Sequence, residues 1–361
     1  MIYGLRLRIY NRIIKLNKTM KKLTFLLLPL FMVACLDPEP PQPKPQGILV
    51  TSNITENTTW YSDSIYILGG RISVVSGAEL TIQPGCIIKG DAGSGASATA
   101  LVIARGGKLH AVGTANAPII FTSIVDSIQS GMIASPNLDP TVRGLWGGLI
   151  VLGNAPISAT AQTIQIEGIP TSDPNGLYGG TDTLDSSGEL AYISIRHGGA
   201  NIGSGNEING LTLGGVGKGT LINHIEVVAN QDDGIEIFGG TVDASNLVVW
   251  GQGDDAIDLD QGYSGTINNF VTVGEENSDH ALEIDGGEGS WDGYFYMWAG
   301  TLLGNDTAQC HFRDGASGFI SITGDYNAEA DAGTNITLDT APNGADLTNF
   351  YWTWTSVAGK L

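Results

Sequence analysis

One short apolar pattern returns four times in the middle of this chain, and it restricts the folds that the chain can adopt. The four segments read GLTLGG, GIEIFGG, AIDLDQG and ALEIDGG. Their apolar pairs lie 24, 22 and 25 residues apart: Leu211/Leu213, Ile235/Ile237, Ile257/Leu259 and Leu282/Ile284. A repeat of this length that lacks helical periodicity is typical of a solenoid, in which every coil stacks on the previous one.

A second apolar column lies between these segments, so each period contains two short strands. Turns rich in Gly, Asn and Asp separate it from the first column, and its members are Ile225/Val227, Leu247/Val249 and Phe270/Thr272. We therefore predict an all-β solenoid with coils of about 22 to 25 residues. Because similar alternation starts near Ile48, the solenoid is predicted to occupy residues 48–361 as one domain.

Two polar, turn-rich segments without strand alternation interrupt the coils, near residues 123–143 and 171–187. We predict that both loop out from the solenoid wall. Long loops on a rigid scaffold often carry binding sites, although many are only tolerated insertions. Both interpretations of these loops stay open at this point.

The C-terminal part of the chain is rich in aromatic residues, in WDGYFYMWAG and in LTNFYWTWTSVAGKL. A solenoid must cover the apolar end of its final coil, which predicts an aromatic C-terminal cap. The alternative is a sugar-stacking platform. Its candidate residues are Trp291, Trp298, Trp352 and Trp354.

The charge of the chain is strongly negative and unevenly distributed. The full sequence has a formal net charge of −20, but residues 1–34 contain seven Lys and Arg and no acids. From Cys35 onward, 10 Lys and Arg stand against 37 Asp and Glu, a net charge of −27. Such a surface repels nucleic acid phosphates and anionic lipid headgroups, so neither is a predicted partner, whereas cations are favoured.

The N-terminal region combines basic residues with a short apolar run. Met20, Lys21 and Lys22 precede LTFLLLPLFMVA, whose 12 residues are too few to span a bilayer. This pattern predicts a signal peptide within residues 1–34, with Met20 as the true start. The residues Met32 to Cys35 resemble the lipobox of bacterial lipoproteins, in which the cysteine thiol carries the lipid anchor.

That resemblance implies that Cys35 attaches the mature chain to a membrane. Residues 35–47 form a linker with five prolines, a composition that favours a stiff, extended spacer. Leu36 after the cysteine, with Asp37 and Glu39 close behind, resembles the address of outer-membrane or surface lipoproteins. We predict a protein of the outer membrane, at the cell surface, that contacts the membrane only through its lipid anchor.

Two cysteines remain beyond the anchor, Cys86 and Cys310, and they are far apart in sequence. Coils stack about 4.8 Å apart, so the two thiols are predicted to lie on the order of 40 Å from each other. A disulfide requires Cα atoms within about 7 Å. Both cysteines are therefore predicted to be free and buried.

Strand alternation places carboxylates on the outer surface of two neighbouring coils. Because Ile257, Leu259 and their equivalents point inward, the residues between them point outward: Asp258, Asp260, Glu283 and Asp285. Like charges about 4.8 Å apart repel by about 1 kcal/mol in water and by more in a groove. Calcium takes several oxygen ligands, so these four are the predicted calcium ligands. The alternative is a solvated acidic face without a metal.

Three long segments of the chain resemble a family of surface lipoproteins common in Bacteroidetes and related marine bacteria. They are RGLWGGLIVLGNAPIS, NEINGLTLGGVGKGT and the repeat region NHIEVVANQDDGIEIFGGTVDASNLVVWGQGDDAIDLDQGYSGTINNFV. The resemblance covers nearly all residues after residue 47. It implies a right-handed parallel β-helix, the architecture also found in pectate lyases, and a surface location. It implies no particular activity.

The turns before the repeat strands carry Asp232-Asp233, Asp254-Asp255 and Asp279-His280. Their spacing resembles the catalytic motifs of polygalacturonases, inverting enzymes that hydrolyse glycosidic bonds with paired carboxylates. The resemblance implies catalytic roles for Asp233, Asp254, Asp255 and His280, with Arg313 as a substrate-binding cation. The sequence departs from that family because Gly does not flank His280 and no Arg-x-Lys motif is present. Asp-rich turns also occur in inert β-helices, since Asp bonds its own backbone two residues on.

Together these features favour a binding protein over an enzyme. We predict that it binds extracellular polysaccharide or a surface glycan, or mediates adhesion, with calcium as its cofactor, through shallow sites repeated along its sheets. One alternative is a polysaccharide-degrading enzyme on the Asp-rich face, either an inverting glycoside hydrolase or a calcium-assisted lyase. A second alternative is a structural component of the cell surface.

Overall fold

The computed structural model describes residues 47–202, 208–289, 291–304, 308–339 and 343–361. These residues belong to one compact unit. Their regular structure is almost entirely β-strand, and the one described α-helix, α1, spans only Trp354–Val357. None of the described helices has the length and apolar character needed to cross a bilayer. The predicted signal peptide, Cys35 and the spacer up to residue 46 lie outside the described residues.

The described strands are short, and each coil contains at least two of them, as the repeat predicts. In chain order they are β1 (Ile48–Val50), β2 (Thr58–Trp60), β3 (Ile65–Leu68), β4 (Arg71–Val74), β5 (Glu79–Ile82), β6 (Ile87–Gly90), β7 (Ala100–Ile103), β8 (Lys108–Val112), β9 (Ile119–Ser123), β10 (Leu149–Leu152), β11 (Ile164–Gln165), β12 (Leu177–Tyr178), β13 (Gly188–Arg196), β14 (Leu211–Gly214), β15 (Leu221–Val228), β16 (Ile235–Phe238), β17 (Ala244–Trp250), β18 (Ile257–Asp260), β19 (Thr266–Val273), β20 (His280–Ile284), β21 (Phe295–Leu303), β22 (Ala308–Phe312), β23 (Ser317–Gly324), β24 (Tyr326–Ala330) and β25 (Asn335–Asp339).

The strands form two large sheets in which the strand pairs are parallel. The larger sheet has 14 strands in the order β1-β3-β6-β9-β13-β15-β17-β19-β21-β23-β25, and the ribbon β2-β5-β8 joins it at β13. The smaller sheet has nine strands in the order β4-β7-β10-β14-β16-β18-β20-β22-β24. Neighbours in a sheet come from consecutive coils, so the chain winds as a right-handed parallel β-helix. This confirms the predicted fold.

The apolar columns of the repeat stack in the predicted registers. These are Leu211–Ile235–Ile257–Leu282 in the smaller sheet and Ile225–Leu247–Phe270 in the larger one. Each of these side chains is at most 1% exposed, within one continuous core inside the coils. Cys86 and Cys310 lie in the same core as free thiols, as predicted. Burying an aliphatic side chain of this size contributes about 1.5–3 kcal/mol, so these columns hold neighbouring coils together.

In the middle of the larger sheet, consecutive coils turn a sharp corner at a residue with positive φ. The values lie between 51° and 58° in five successive coils, at Tyr192, His224, Asn246, Asn269 and Ala299. Asparagine adopts this left-handed conformation more readily than most residues. Asn269 also donates a side-chain hydrogen bond to Asn246 (2.6 Å), and Asn246 donates one to Asn223 (2.7 Å). These bonds join the corners of consecutive coils.

The first insertion lies against the larger sheet, whereas the sequence predicts that it loops out. Ile128 is fully buried and packs on Ile87 and Ile120. Asp126 is also buried, and its carboxylate accepts hydrogen bonds from Thr122 Oγ1 (2.9 Å) and from the backbone N of Ile128 (3.0 Å). Apolar anchoring and an internally satisfied carboxylate keep this loop on the wall of the coil.

The second insertion and the residues before it cover the outer face of the smaller sheet. Strands β11 and β12 pair as a short antiparallel hairpin. Ile157, Ile166 and Ile169 pack with Tyr178 and Phe238 in an apolar layer outside the coil. This layer lies beside the outward-pointing side chains of the repeat. The face that the sequence predicts as exposed is therefore largely buried.

The aromatic C-terminal segment covers the middle of the larger sheet rather than the final coil, where the sequence predicts a cap. Phe350 and Trp354 pack against Val228, Val248 and Val271, which come from three consecutive coils. An outward-pointing valine row and two aromatic rings bury each other, and this apolar contact directs the tail back along the molecule. The predicted position of the aromatic cap is therefore wrong.

A buried ion pair lies beneath this tail. Arg196 and Glu226 are 1% and 0% exposed, and Arg196 Nη2 lies 3.6 Å from Glu226 Oε2. Ser194 donates to Glu226 Oε2 (2.5 Å) and accepts from Arg196 Nε (2.7 Å). Glu226 Oε1 accepts from the backbone N and the Oγ1 of Thr355, both at 2.8 Å. The Trp354 ring centre lies 5.0 Å from the guanidinium carbon. Buried charge as well as apolar contact therefore holds the tail.

Replacing Glu226 with Ala is expected to lower the free energy of unfolding by about 3–5 kcal/mol, because the Arg196 guanidinium stays buried without its partner. Urea unfolding measures this loss, and limited proteolysis reports whether the C-terminal segment detaches. Glu189→Ala removes an exposed carboxylate from the same sheet and should change stability by at most about 0.5 kcal/mol. Equal stability of the two variants would contradict a role for the ion pair in holding the tail.

Candidate functional site

A cleft of about 640 Å³ opens on the outer side of the smaller sheet, beside the second insertion. We call it the acidic cleft. Its carboxylates come from the β11–β12 hairpin, from three consecutive turns and from strands β16, β18 and β20: Glu167, Asp232, Asp233, Glu236, Asp254, Asp255, Asp258, Glu276, Asp279 and Glu283. Among the described residues, no Lys, Arg or His lines it. The lining of the cleft is therefore strongly negative when its carboxyls are ionised.

Aspartates in consecutive turns hydrogen-bond to the backbone of the next turn. Asp233 Oδ1 accepts from the backbone N of Asp255 (2.9 Å), and Asp255 Oδ1 accepts from the backbone N of His280 (2.7 Å). The His280 ring also contacts the same Asp255 oxygen through Nδ1, at 2.8 Å. Each aspartate thus fixes a turn that lies 22 or 25 residues later in sequence. This gives the repeated Asp a structural role in addition to its charge.

Three carboxylates of the acidic cleft are buried and close together. Asp233, Glu236 and Asp258 are 6, 7 and 8% exposed, and one oxygen from each lies within 4.8 Å of the others. We call them the buried triad. Asn209 donates its side-chain amide to Glu236, whereas Oδ1 of Asp258 has no hydrogen-bond partner among the described groups. Leaving a buried acceptor unsatisfied is costly, so this oxygen favours a proton or a cation.

Burial and mutual repulsion raise the pKa values of these carboxyls. Burial, followed by the charge of Asp258, raises the pKa of Asp233 and of Glu236 well above the usual values. Burial, followed by the charge of Asp260, does the same to the pKa of Asp258. In the neighbouring turn, burial raises the pKa of Asp255 to about 7, against the lowering effect of a backbone hydrogen bond. Without a cation, the buried triad therefore retains protons to higher pH than exposed carboxyls do.

The four predicted calcium ligands are divided between two places. Asp258 and Glu283 line the acidic cleft, whereas Asp260 and Asp285 do not. Arg313 donates to Glu283 through Nε (2.8 Å) and lies 3.1 Å from Asp285, so both carboxylates already have a cationic partner. Asp260 and Asp285 belong to none of the groups of three close ligand atoms found among the described residues. Asp258 instead joins the buried triad.

The structure brings the alternative catalytic residues together. Asp233, Asp254 and Asp255 all line the acidic cleft, and His280 adjoins it through its contact with Asp255. Arg313, the proposed substrate-binding cation, is bound to carboxylates of the previous coil and does not line the cleft. The cleft therefore contains candidates for an acid and a base, but this arginine does not face a substrate there.

The four predicted sugar-stacking residues have different environments. Trp352 and Trp354 are each 5% exposed, so the structure contradicts a sugar-stacking role for these two. Trp291 is half-buried and donates its indole N–H to a backbone carbonyl at 3.1 Å. Trp298 is 41% exposed on β21, beside other aromatic rings. Only Trp298 presents a large part of its ring to solvent.

Sequence reasoning named neither Glu236 nor Glu167 as a candidate site residue, although both line the cleft. The register of the repeat already placed Glu236 beside Asp258, as the structure confirms, but nothing in the pattern indicated that this part of the face is covered. Glu167 lies in the β11–β12 hairpin, just before the second insertion, and this hairpin has no repeat register, so the sequence carried no signal of its position. The alignment of the repeat could have identified the first of these residues and not the second.

Without bound cations, the protein is expected to become less stable as the pH rises. A carboxyl with a higher pKa in the folded than in the unfolded state retains its proton on folding, so the free energy of unfolding falls between the two pKa values. For Asp255 this interval runs from 3.8 to about 7, and each carboxyl of the buried triad adds an interval that begins at its ordinary pKa and extends upward. Each retained proton contributes a slope of about 1.4 kcal/mol per pH unit. Thermal unfolding in chelator between about pH 5 and pH 8 measures this decrease.

Two variants connect this pH dependence to the cleft. Asp258→Asn removes one titrating group and should make the decrease less steep. Asp243→Asn changes an exposed carboxylate outside the cleft and should leave the slope unchanged. A stability that stays constant or rises from about pH 5 to pH 8 would contradict the raised pKa values.

Comparison with protein-family models matches residues 52–308 to the pectate-lyase-like β-helix domain. Comparisons with curated proteins and with solved structures give no significant match. The matched range contains the residues that line the acidic cleft and most of the coils described above. The chain belongs to the family of pectate-lyase-like β-helix domains.

Proposed function

We propose that this protein is a lipid-anchored protein of the outer membrane that binds extracellular polysaccharide at the cell surface with the aid of calcium. The observation that carries the proposal is the buried triad, where Oδ1 of Asp258 has no hydrogen-bond partner among the described groups. Buried charges of one sign are unfavourable unless they bind protons or a counter-ion. A cation in the triad would relieve this repulsion.

Calcium matches the buried triad in ligand type and in spacing. It binds oxygen atoms at about 2.3–2.6 Å, so two of its ligands lie at most about 5 Å apart. The triad oxygens meet that limit, because all three lie within 4.8 Å of one another. Asp232 and Asp254 form a second close group with Asp233 and offer further carboxylate oxygens. Neither group contains the nitrogen or sulfur ligands that zinc prefers.

We propose that a polysaccharide binds in the acidic cleft, where its oxygen atoms coordinate the calcium ion. The rim residues Asp254 and Asp279 are exposed, so the cleft is accessible from solvent. Calcium takes about six to eight oxygen ligands, and positions that protein atoms do not fill can accept sugar hydroxyl or carboxylate oxygens. Without the ion, the carboxylates of the cleft repel acidic sugars. Binding through the cleft should therefore depend on calcium.

The proposed location rests on the N-terminal sequence. Cys35 is the proposed site of lipidation, and the proline-rich spacer after it would hold the β-helix away from the membrane. The net charge of −27 from Cys35 onward disfavours contact between the folded part and anionic headgroups. Attachment through lipid alone agrees with both features.

One contact favours a second candidate function, a polysaccharide-degrading enzyme. Asp255 lies 2.8 Å from His280 Nδ1, and its raised pKa of about 7 suits general acid–base catalysis near neutral pH. Asp233 or Asp254 would then serve as the second carboxylate of a glycoside hydrolase. We favour the binding protein because Asp233 and Asp255 each accept a backbone hydrogen bond that fixes the next turn.

Calcium is expected to bind with a Kd of about 10⁻⁶ to 10⁻⁴ M and to raise the melting temperature at pH 8. Asp258→Asn should weaken binding at least about tenfold, because it removes the unpartnered buried carboxylate. Asp260→Asn, two residues along the same strand and outside the cleft, should retain calcium binding. Calorimetry and thermal unfolding with and without calcium measure both effects.

Four outcomes separate the candidate functions. Equal loss of calcium binding in the Asp258→Asn and Asp260→Asn variants would support the four predicted ligands as the site instead of the buried triad. Turnover of an acidic polysaccharide that Asp255→Asn abolishes would support the enzyme. Calcium-dependent binding without turnover would support the binding protein. If the protein neither binds calcium nor turns over a polysaccharide, the structural surface component is the remaining candidate.

Replacing Cys35 with Ser is expected to release the protein from the membrane, because a serine hydroxyl cannot carry the thioether-linked lipid. Partition between detergent and aqueous phases of a bacterial lysate measures the change, with the wild type in the detergent phase and the variant in the aqueous phase. Lys44→Gln in the spacer is the control and should partition as the wild type does. A Cys35→Ser protein that still enters the detergent phase would contradict the lipid anchor.

A further inference from the structure

A row of exposed aromatic rings lies on the larger sheet, whereas the acidic cleft lies on the smaller one. Tyr294, Tyr296 and Trp298 are 40, 43 and 41% exposed. Their ring centres are 5.2 Å apart for the two tyrosines and 6.1 Å apart for Tyr296 and Trp298. The Phe319 ring, from the next coil, lies 4.4 Å from Trp298. We call these four residues the aromatic platform.

Strand alternation determines which way the rings of β21 point. Phe295 and Met297 are buried in the core, so Tyr296 and Trp298, which alternate with them, point outward. The planes of these two outward rings differ by only 5°. Burial of large aromatic side chains is favourable, and contiguous exposed ones mark binding surfaces. Tyrosine and tryptophan also dominate the energetics of many interfaces.

Neutral polar side chains continue from the platform onto earlier coils. Asn268 is exposed and pairs with Trp298 across β19 and β21. Ser245 and Asn223 occupy the same row on the two coils before it. Thr266 pairs with Tyr296 in the parallel row, and the next side chain in that row is Asp243, whose charge is paired with Lys218 at 3.4 Å. These amide and hydroxyl groups can donate and accept hydrogen bonds, and none of them carries a charge.

We infer that the aromatic platform binds a neutral polysaccharide. A pyranose ring has an apolar face of C–H groups that stacks on an aromatic ring, and an edge of hydroxyl groups that pairs with amides. The platform and its polar row offer both kinds of contact along consecutive coils. The negative charge of the chain disfavours an anionic polymer or an anionic lipid surface here.

This inference rests on the proposed function, because it names the class of polysaccharide and a second surface that contacts it. The two sites differ in a measurable way. Binding at the acidic cleft requires calcium and favours anionic sugars, whereas binding at the aromatic platform requires no ion. A protein with both would hold a mixed matrix through two independent contacts.

Affinity electrophoresis of the detergent-solubilised full chain tests the inference. Native gels contain xyloglucan, galactomannan or mixed-linkage β-glucan as neutral polymers, or alginate or polygalacturonate as anionic ones, each with calcium or with chelator. At least one neutral polymer is expected to retard the protein equally in both conditions. Trp298→Ala should weaken that binding roughly tenfold or more. Tyr296→Ala is a second platform variant and should weaken it in the same direction.

Tyr351→Ala is the matched control, because Tyr351 is 70% exposed and lies in the C-terminal segment outside the platform. It should leave the retardation unchanged. The inference is overturned if no neutral polymer retards the protein, or if both platform variants migrate as the control does. Retardation by anionic polymers that requires calcium and is lost in Asp258→Asn would then leave the proposed function standing. If the protein binds no calcium but a neutral polymer still retards it, the proposed calcium site is contradicted and the inference about the aromatic platform stands.

Discussion

Parallel hydrogen bonding between consecutive coils is the constraint on which the rest of this structure depends. Each strand pairs with its equivalent one coil later, so a residue type that recurs at the repeat period becomes a continuous column. Aliphatic columns form the core, and asparagines with positive φ form linked corners. Aspartates fix the turns one after another. The same rule also stacks carboxylates on neighbouring strands, so one periodicity produces both the stability of the coil and its concentrated negative charge.

The segments outside the repeat determine which of these columns are buried. The apolar layer around the β11–β12 hairpin lies beside the carboxylates of the smaller sheet, and the C-terminal tail lies on the valines of the larger one. Removing water strengthens repulsion between like charges and disfavours their ionisation. A row of carboxylates that solvent would tolerate thus becomes the buried triad, which favours protons or a cation. Beneath the C-terminal tail a carboxylate is also buried, but there the charge of Glu226 is paired with that of Arg196.

The candidate site was only partly predictable from the sequence, because segments outside the repeat determine which carboxylates are buried. Asp258 and Glu283 lie on the predicted face, and Asp233, Asp254 and Asp255 meet in one cleft as their equivalent turn positions suggest. The ligand set nevertheless differs from the prediction, because Arg313, from the next coil, compensates Glu283 and Asp285. Alternation shows which residues share a face, but it does not show which charges on that face find partners.

By itself, the sequence determined the β-helix, the register of its coils, its aliphatic core and its free buried cysteines. These features depend on strand alternation and on a fixed repeat length, both of which are local properties of the chain. Only the tertiary structure decided where the insertions and the aromatic tail lie, and hence which carboxylates are buried together. Those contacts join positions far apart in sequence, such as Glu226 and Thr355, which are 129 residues apart. Such segments have no repeat register, so only their packing against the finished coils determines their place.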